Sequence, residues 1–139
     1  MQDFSGTWRL DFTRSKLHGP TPAGMLMRIE HRDPAFTQTI RLEYADGRSM
    51  QSVFEGTTTG EEFVNSVGGQ TVRSRASWKD SELVIESWVD TGKRQLNFRD
   101  HWFLRGDTLI MEHRDDDLAG QIAVLERAPE TAAKFDGAA

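Results

Sequence analysis

Turn signals recur every ten to fifteen residues along this 139-residue chain, and between them apolar side chains alternate with polar ones. The signals are Arg32-Asp33-Pro34-Ala35, Ala45-Asp46-Gly47, Thr57-Thr58-Thr59-Gly60, Gly68-Gly69, Asp80-Ser81, Thr91-Gly92, Gly106-Asp107 and Asp116-Asp117-Leu118-Ala119. Alternation with a period of two marks a strand with one dry face. Short strands at such regular spacing confine the chain to a sandwich or barrel made of hairpins.

Each turn can be tested by asking whether it sets apolar residues opposite apolar ones, because a one-residue slip would turn every side chain to the other face. Asp80-Ser81 sets Trp78 opposite Leu83, Ala76 opposite Ile85 and Ser74 opposite Ser87. Gly106-Asp107 sets Leu104 opposite Leu109, Trp102 opposite Met111 and Asp100 opposite His113. Thr91-Gly92, read as a two-residue turn, sets Ser87 opposite Leu96 and Ile85 opposite Phe98. The first hairpin pairs His31 with Phe36 and Met27 with Ile40. Ala45-Asp46-Gly47 works as a three-residue turn with a glycine bulge, pairing Leu42 with Met50 and Ile40 with Ser52. The next loop pairs Phe54 with Phe63 and Ser52 with Asn65, and Gly68-Gly69 pairs Asn65 with Val72.

All of these hairpins agree on one inward face. About ten strands are expected: 7–12, 25–32, 36–44, 48–55, 62–67, 70–79, 82–90, 93–105, 108–115 and 120–127. An up-and-down antiparallel meander of this length removes its edges by pairing the last strand with the first. A closed barrel of ten strands is too wide for side chains to fill, so an internal cavity is expected. The whole of 1–139 is then a single domain, with 128–139 a C-terminal tail long enough for a turn or two of helix around Glu130 to Phe135. Gly19, Pro20, Pro22 and Gly24 work against helix in the longest connection, 13–24.

The composition narrows the function classes. Twenty-two acids and 17 bases are interspersed, giving a net charge of −5; no basic face for nucleic acid is expected. Zero cysteines exclude disulfides, thiol catalysis and cysteine-based zinc sites. No apolar run approaches the length of a membrane-spanning helix. Met1-Gln2 carries no apolar signal core, and the compartment stays open: cytoplasmic, or periplasmic or secreted if a leader once preceded this start.

The opening Phe4-Ser5-Gly6-Thr7-Trp8-Arg9-Leu10, at the head of an all-β meander, resembles the calycin signature, in which the first strand begins Gly-x-Trp. The chain resembles bacterial lipocalin-like proteins of this superfamily. The resemblance implies that Trp8 plugs one end of the barrel and that Arg127, near the last strand, stacks on it. Both roles are structural. Fatty-acid-binding proteins place two helices between the first two strands, and 13–24 is too short and too broken for that. Typical lipocalins end in a long helix that this tail cannot supply. Nitrobindin-type haem barrels are similar in size, but Arg9-Leu10-Asp11 lacks their further glycine pattern.

The expected inward face is partly polar. His31, Gln38, Ser52, Asn65, Ser74, Ser87, Arg94, Asp100 and His113 share parity with the core residues, and Tyr44, Met50 and Val67 mark the barrel end nearest Arg94. Buried without partners, such groups would cost a few kcal/mol each. They therefore satisfy one another in a filled core, or line a wet cavity with Trp102 and hold an amphipathic ligand. Asp100 opposite His113 is a general-base arrangement and equally a salt bridge. Arg94 at a barrel mouth would suit an anionic head group, or would simply snorkel to solvent. Met25, Met27, Met50 and Met111 would make an adaptable apolar wall. His31 and His113 lie on distant strands with no spaced partner, so no metal and no cofactor is expected. His101 reads as outward and His18 as a loop residue. Arg105-Gly106-Asp107 reads as a hairpin turn. Trp88, Phe103, Val84, Ile110 and Leu125 read as an outward apolar patch that a second subunit or the tail could cover.

These readings converge on non-catalytic binding of a small apolar or amphipathic molecule inside the barrel. Two alternatives stay open. One is a barrel enzyme of isomerase or cyclase type using Asp100 and His113; the other is a protein-interaction module with an inert interior.

Overall fold

The computed structural model describes residues 2–18, 21–115 and 120–129. Ten antiparallel strands follow one another: β1 Gly6–Leu10, β2 Gly24–Arg32, β3 Ala35–Glu43, β4 Ser49–Thr57, β5 Thr59–Val67, β6 Gln70–Lys79, β7 Glu82–Asp90, β8 Gln95–Arg105, β9 Thr108–Asp115 and β10 Gln121–Arg127. Alternation produces them directly. In β7, Leu83, Ile85, Ser87 and Val89 are buried, while Glu86 and Asp90 face water. The expected turn at 116–119 and the tail from Glu130 lie outside the described residues.

The strands form one sheet in the order β4-β3-β2-β1-β10-β9-β8-β7-β6-β5. First and last strands pair, Trp8 opposite Arg127 and Leu10 opposite Leu125, as the closure argument requires. Most expected registers hold, including Trp78 with Leu83, Asp100 with His113, Met27 with Ile40, Leu42 with Met50 and Asn65 with Val72.

Two registers do not. The loop after β7 has four residues, not two: the Thr91 N–H donates to the Arg94 carbonyl at 3.0 Å, and Asp90 pairs with Gln95. Ser87 therefore faces Phe98 and Ile85 faces Asp100. A two-residue slip keeps every side chain of β8 on its expected face, but it moves Arg94 out of the strand into an exposed turn.

The second departure is larger. No backbone ladder joins β4 to β5 among the described residues, so the barrel is closed at its termini and interrupted in its middle. Asn65 bridges the seam. Its Oδ1 accepts from the Glu55 N–H at 3.0 Å and its Nδ2 donates to the Glu55 carbonyl at 2.9 Å, so one side-chain amide replaces a ladder rung. The expected pairing of Ser52 with Asn65 is thus absent. Phe54 and Phe63 still meet edge to face across the seam, 5.6 Å between centroids. Exposed Val53 and Val64 flank it.

One end of the barrel is a packed floor. The segment before β1 turns under it, burying Phe4 against His31 and Trp78 at ring separations of 5.5 and 5.7 Å. Trp8 is fully buried; its Nε1–H donates to the Phe4 carbonyl at 3.0 Å, and the Arg127 guanidinium lies 4.4 Å from its ring. Gly6 sits at a φ of 145°, and a Cβ there would meet Arg127 Nη1 at 2.7 Å, so only glycine lets the arginine close over the tryptophan. Leu83, Leu109 and Leu125 complete this core. Leu125 is therefore inward and fully buried, not part of an outer patch, because it pairs with Leu109. Outward Trp88 and Phe103 each lie beneath an arginine, Arg75 and Arg105 respectively.

Among the described residues, the connection from β1 to β2 holds no helix. Lys16 makes two backbone hydrogen bonds of 2.8 Å with Ile122, laying the chain along β10, and Leu17 packs against the core.

Candidate functional site

Above the floor the interior opens into a cavity of about 380 Å³. Parity places its walls. Met25 and Met27 come from β2, Gln38 and Ile40 from β3, Phe54 from β4, Ile85 and Ser87 from β7, Trp102 from β8, Met111 from β9 and Ala123 from β10. The volume falls in the range of small-molecule sites, and the lining has their usual makeup, mainly apolar with a few polar groups.

The polar groups divide into satisfied and available ones. Ser74 and Ser87 share a hydrogen bond of 2.8 Å, with Ser74 wholly buried behind Ser87. Gln38 is buried, and its Nε2 contacts the sulfurs of Met27 and Met111 at 3.3 and 4.0 Å. Sulfur is a weak acceptor, so Gln38 retains hydrogen-bonding capacity toward the cavity. Ser52 and Gln121 also line it.

The charged feature is Asp100 with His113. They are direct cross-strand partners on β8 and β9, and Nδ1 of His113 lies 2.7 Å from Asp100 Oδ1. The Asp100 hydrogen bond is the main reason that the imidazole pKa is raised above 6.5; burial opposes it, and the charges of Asp100 and Asp115 add to it. Phe98 stacks on the ring at 5.5 Å. Side-chain exposures of 33% for His113 and 27% for Asp100 show that solvent reaches the pair. With Nδ1–H directed at Asp100, Nε2 accepts when the ring is neutral and donates when it is protonated.

Several residues expected at the cavity lie elsewhere. His31 has the right parity but sits at the floor. Its Nδ1 accepts from the Phe4 N–H at 3.2 Å and its Nε2 lies 3.1 Å from Asp33 Oδ1. The same Asp33 oxygen accepts from Thr58 Oγ1–H and Trp78 Nε1–H, each at 2.9 Å. Asp33 thereby ties its own turn to the β4–β5 turn and to the end of β6, a role its place in a turn motif gave no hint of. Burial is the largest single effect on its carboxyl and raises its pKa, but the three donors and the His31 charge together outweigh it and hold the carboxyl below the usual carboxylate range. Tyr44 is at the rim with its hydroxyl 3.6 Å from the Met50 sulfur and Arg48 over its ring. Met50 is 55% exposed and no part of the wall. Asn65 is spent on the seam, and Arg94 lies in its exposed turn. Gln38, Ser52, Ser87, Asp100, Trp102 and His113 converge on the cavity, with Ser74 one shell behind.

No protein-family model and no curated protein sequence matches the chain. Solved structures do. Human cRBP IV superposes with a TM-score of 0.63 at 21% identity, covering 92% of this chain and 100% of its own. The fluorescent protein UnaG superposes at 0.67 with 18% identity, over 90% and 97%. A Schistosoma mansoni fatty-acid-binding protein in complex with arachidonic acid gives 0.61 and 15%, over 91% and 96%. Identities this low speak to architecture alone. With the Gly-x-Trp start, the Trp8–Arg127 stack and ten antiparallel strands closed through the termini, they make this chain a β-barrel of the calycin fold.

Proposed function

We propose that the protein binds a small apolar or amphipathic molecule inside its barrel. The observation that carries this is the cavity itself. About 380 Å³ of space lies over a floor sealed by Phe4, Trp8 and Leu109, walled by methionine, isoleucine and aromatic side chains. Covering apolar wall surface removes it from water at about 25 cal/mol per Å², so an apolar body entering this cavity gains free energy by doing so. The likeness of the barrel to a fatty acid transporter and to a fatty-acid-binding protein supports the reading.

The test is titration with Nile red, an uncharged dye that brightens in apolar surroundings. Saturable one-to-one binding is expected in the native chain. Ala123→Phe places a ring inside the cavity and is expected to abolish binding while the far-UV circular dichroism stays unchanged. Equal binding by the native and Ala123→Phe proteins would place the dye elsewhere and overturn the proposal.

A further inference from the structure

The charges facing the cavity point to the chemical class of ligand, resting on the binding function proposed above. No lysine or arginine lines the cavity among the described residues; its charged groups are Asp100 and His113. The outward residues of the same strands supply cations in plenty, such as Arg73, Arg75, Arg99 and Arg114, but their parity points them away from the lumen. Arg94, the expected anion ligand, lies exposed in its turn.

Asp100 sets the character of the polar wall. When His113 is protonated, its charge is already matched by Asp100 at 2.7 Å, and Asp115, two residues along β9, adds a further negative charge acting on the ring. When His113 is neutral, the carboxylate stands alone. In either state the wall has a net charge of zero or below. The other polar lining groups, Gln38, Ser52, Ser87 and Gln121, carry no charge. A carboxylate head group would therefore lose its water and meet a carboxylate, without the fork of donors that anions normally find in proteins. A head group that donates hydrogen bonds meets the acceptors it needs: Asp100, and Nε2 of a neutral His113.

We infer that the ligand's polar end is an uncharged or cationic hydrogen-bond donor, an alcohol or an amine, and not a carboxylate. The apolar walls take its hydrocarbon body and the Asp100–His113 pair takes its head.

Decylamine, 1-decanol and decanoate, each of ten carbon atoms with a different head group at one end, separate this inference from its alternatives. Each would be used below its micelle concentration at pH 7.5 to displace Nile red from the native protein. The amine and the alcohol are expected to displace the dye at concentrations at least tenfold lower than decanoate. Asp100→Asn, checked for native circular dichroism, is expected to shrink the amine-over-decanoate ratio to about threefold or less. Decanoate binding as well as or better than the other two overturns the inference and leaves the binding function standing. So does an unchanged ratio in Asp100→Asn, or a bound dye that none of the three displaces. A protein that takes up no Nile red refutes both.

Discussion

Gly56→Ala should destabilise the barrel although alanine suits a strand better than glycine. Gly56, next to last in β4, lies opposite Phe36, and its φ is not positive, so the backbone accepts a side chain. The space does not. A Cβ there would lie 2.4, 2.5 and 2.7 Å from three carbons of the Phe63 ring. Since carbon atoms rest about 3.5–4.0 Å apart, the ring must retreat by about 1 Å. It is held from two sides, edge to face with Phe36 at 5.9 Å and with Phe54 at 5.6 Å. Each such aromatic contact contributes about 0.5–1.5 kcal/mol, and overpacking a fitted site costs about 1–3 kcal/mol. Against this, replacing glycine gains about 0.4–1 kcal/mol through the unfolded chain. The net expectation is a loss of about 1–3 kcal/mol. Urea denaturation followed by tryptophan fluorescence should show a midpoint lower by about 0.5–1.5 M, taking a slope of about 2 kcal/mol/M, the middle of the range for small proteins. Gly24→Ala, where a Cβ meets nothing within 4 Å, is the control and should be neutral or slightly stabilising. Phe63→Leu in the Gly56→Ala background should recover part of the loss, a coupling that a double-mutant cycle reads directly. A Gly56→Ala protein as stable as the native one would refute the packing of Phe63 on Gly56, and with it this account of the seam.

Two further outcomes follow from the same geometry. Asn65→Ala removes both side-chain hydrogen bonds to Glu55, worth about 1–2 kcal/mol together at a partly exposed site; hydrogen exchange at the Glu55 amide should accelerate selectively, and an unchanged rate would mean that the seam is held by other contacts. His113 titrates above 6.5 because of Asp100. A raised pKa in the folded state stabilises fully below 6.5 and fades as pH rises through the folded value. NMR of the imidazole should therefore show a midpoint above 6.5 that moves down in Asp100→Asn; a native midpoint at or below 6.5 would contradict the pairing.

The hairpins were legible because their information is local. At Asp80-Ser81 and Gly106-Asp107, turn chemistry and alternation lie within a dozen residues, and they placed Ser74 against Ser87 and Asp100 against His113 without any knowledge of the fold. Thr91-Gly92 misled because a turn's length depends on where its backbone bonds close, and Arg94 closed this one two residues later than Gly92 suggested. The β4–β5 seam was invisible for a different reason. Phe54, Phe63 and Asn65 alternate like any paired strands, and nothing in that pattern says that a side-chain amide takes the place of the ladder.

Parity told inside from outside but not height along the barrel. His31, Gln38 and His113 share one face by their position in sequence, yet His31 is pinned at the floor beside Phe4 while the other two line the cavity. That separation is set by contacts between residues far apart in the chain, such as Phe4 to His31 and Trp8 to Arg127. Alternation is a property of each strand's own backbone, so it survives in the linear order of residues. The floor and the cavity exist only once the ends of the chain have met, because each is made of atoms that covalent order keeps apart and burial brings together.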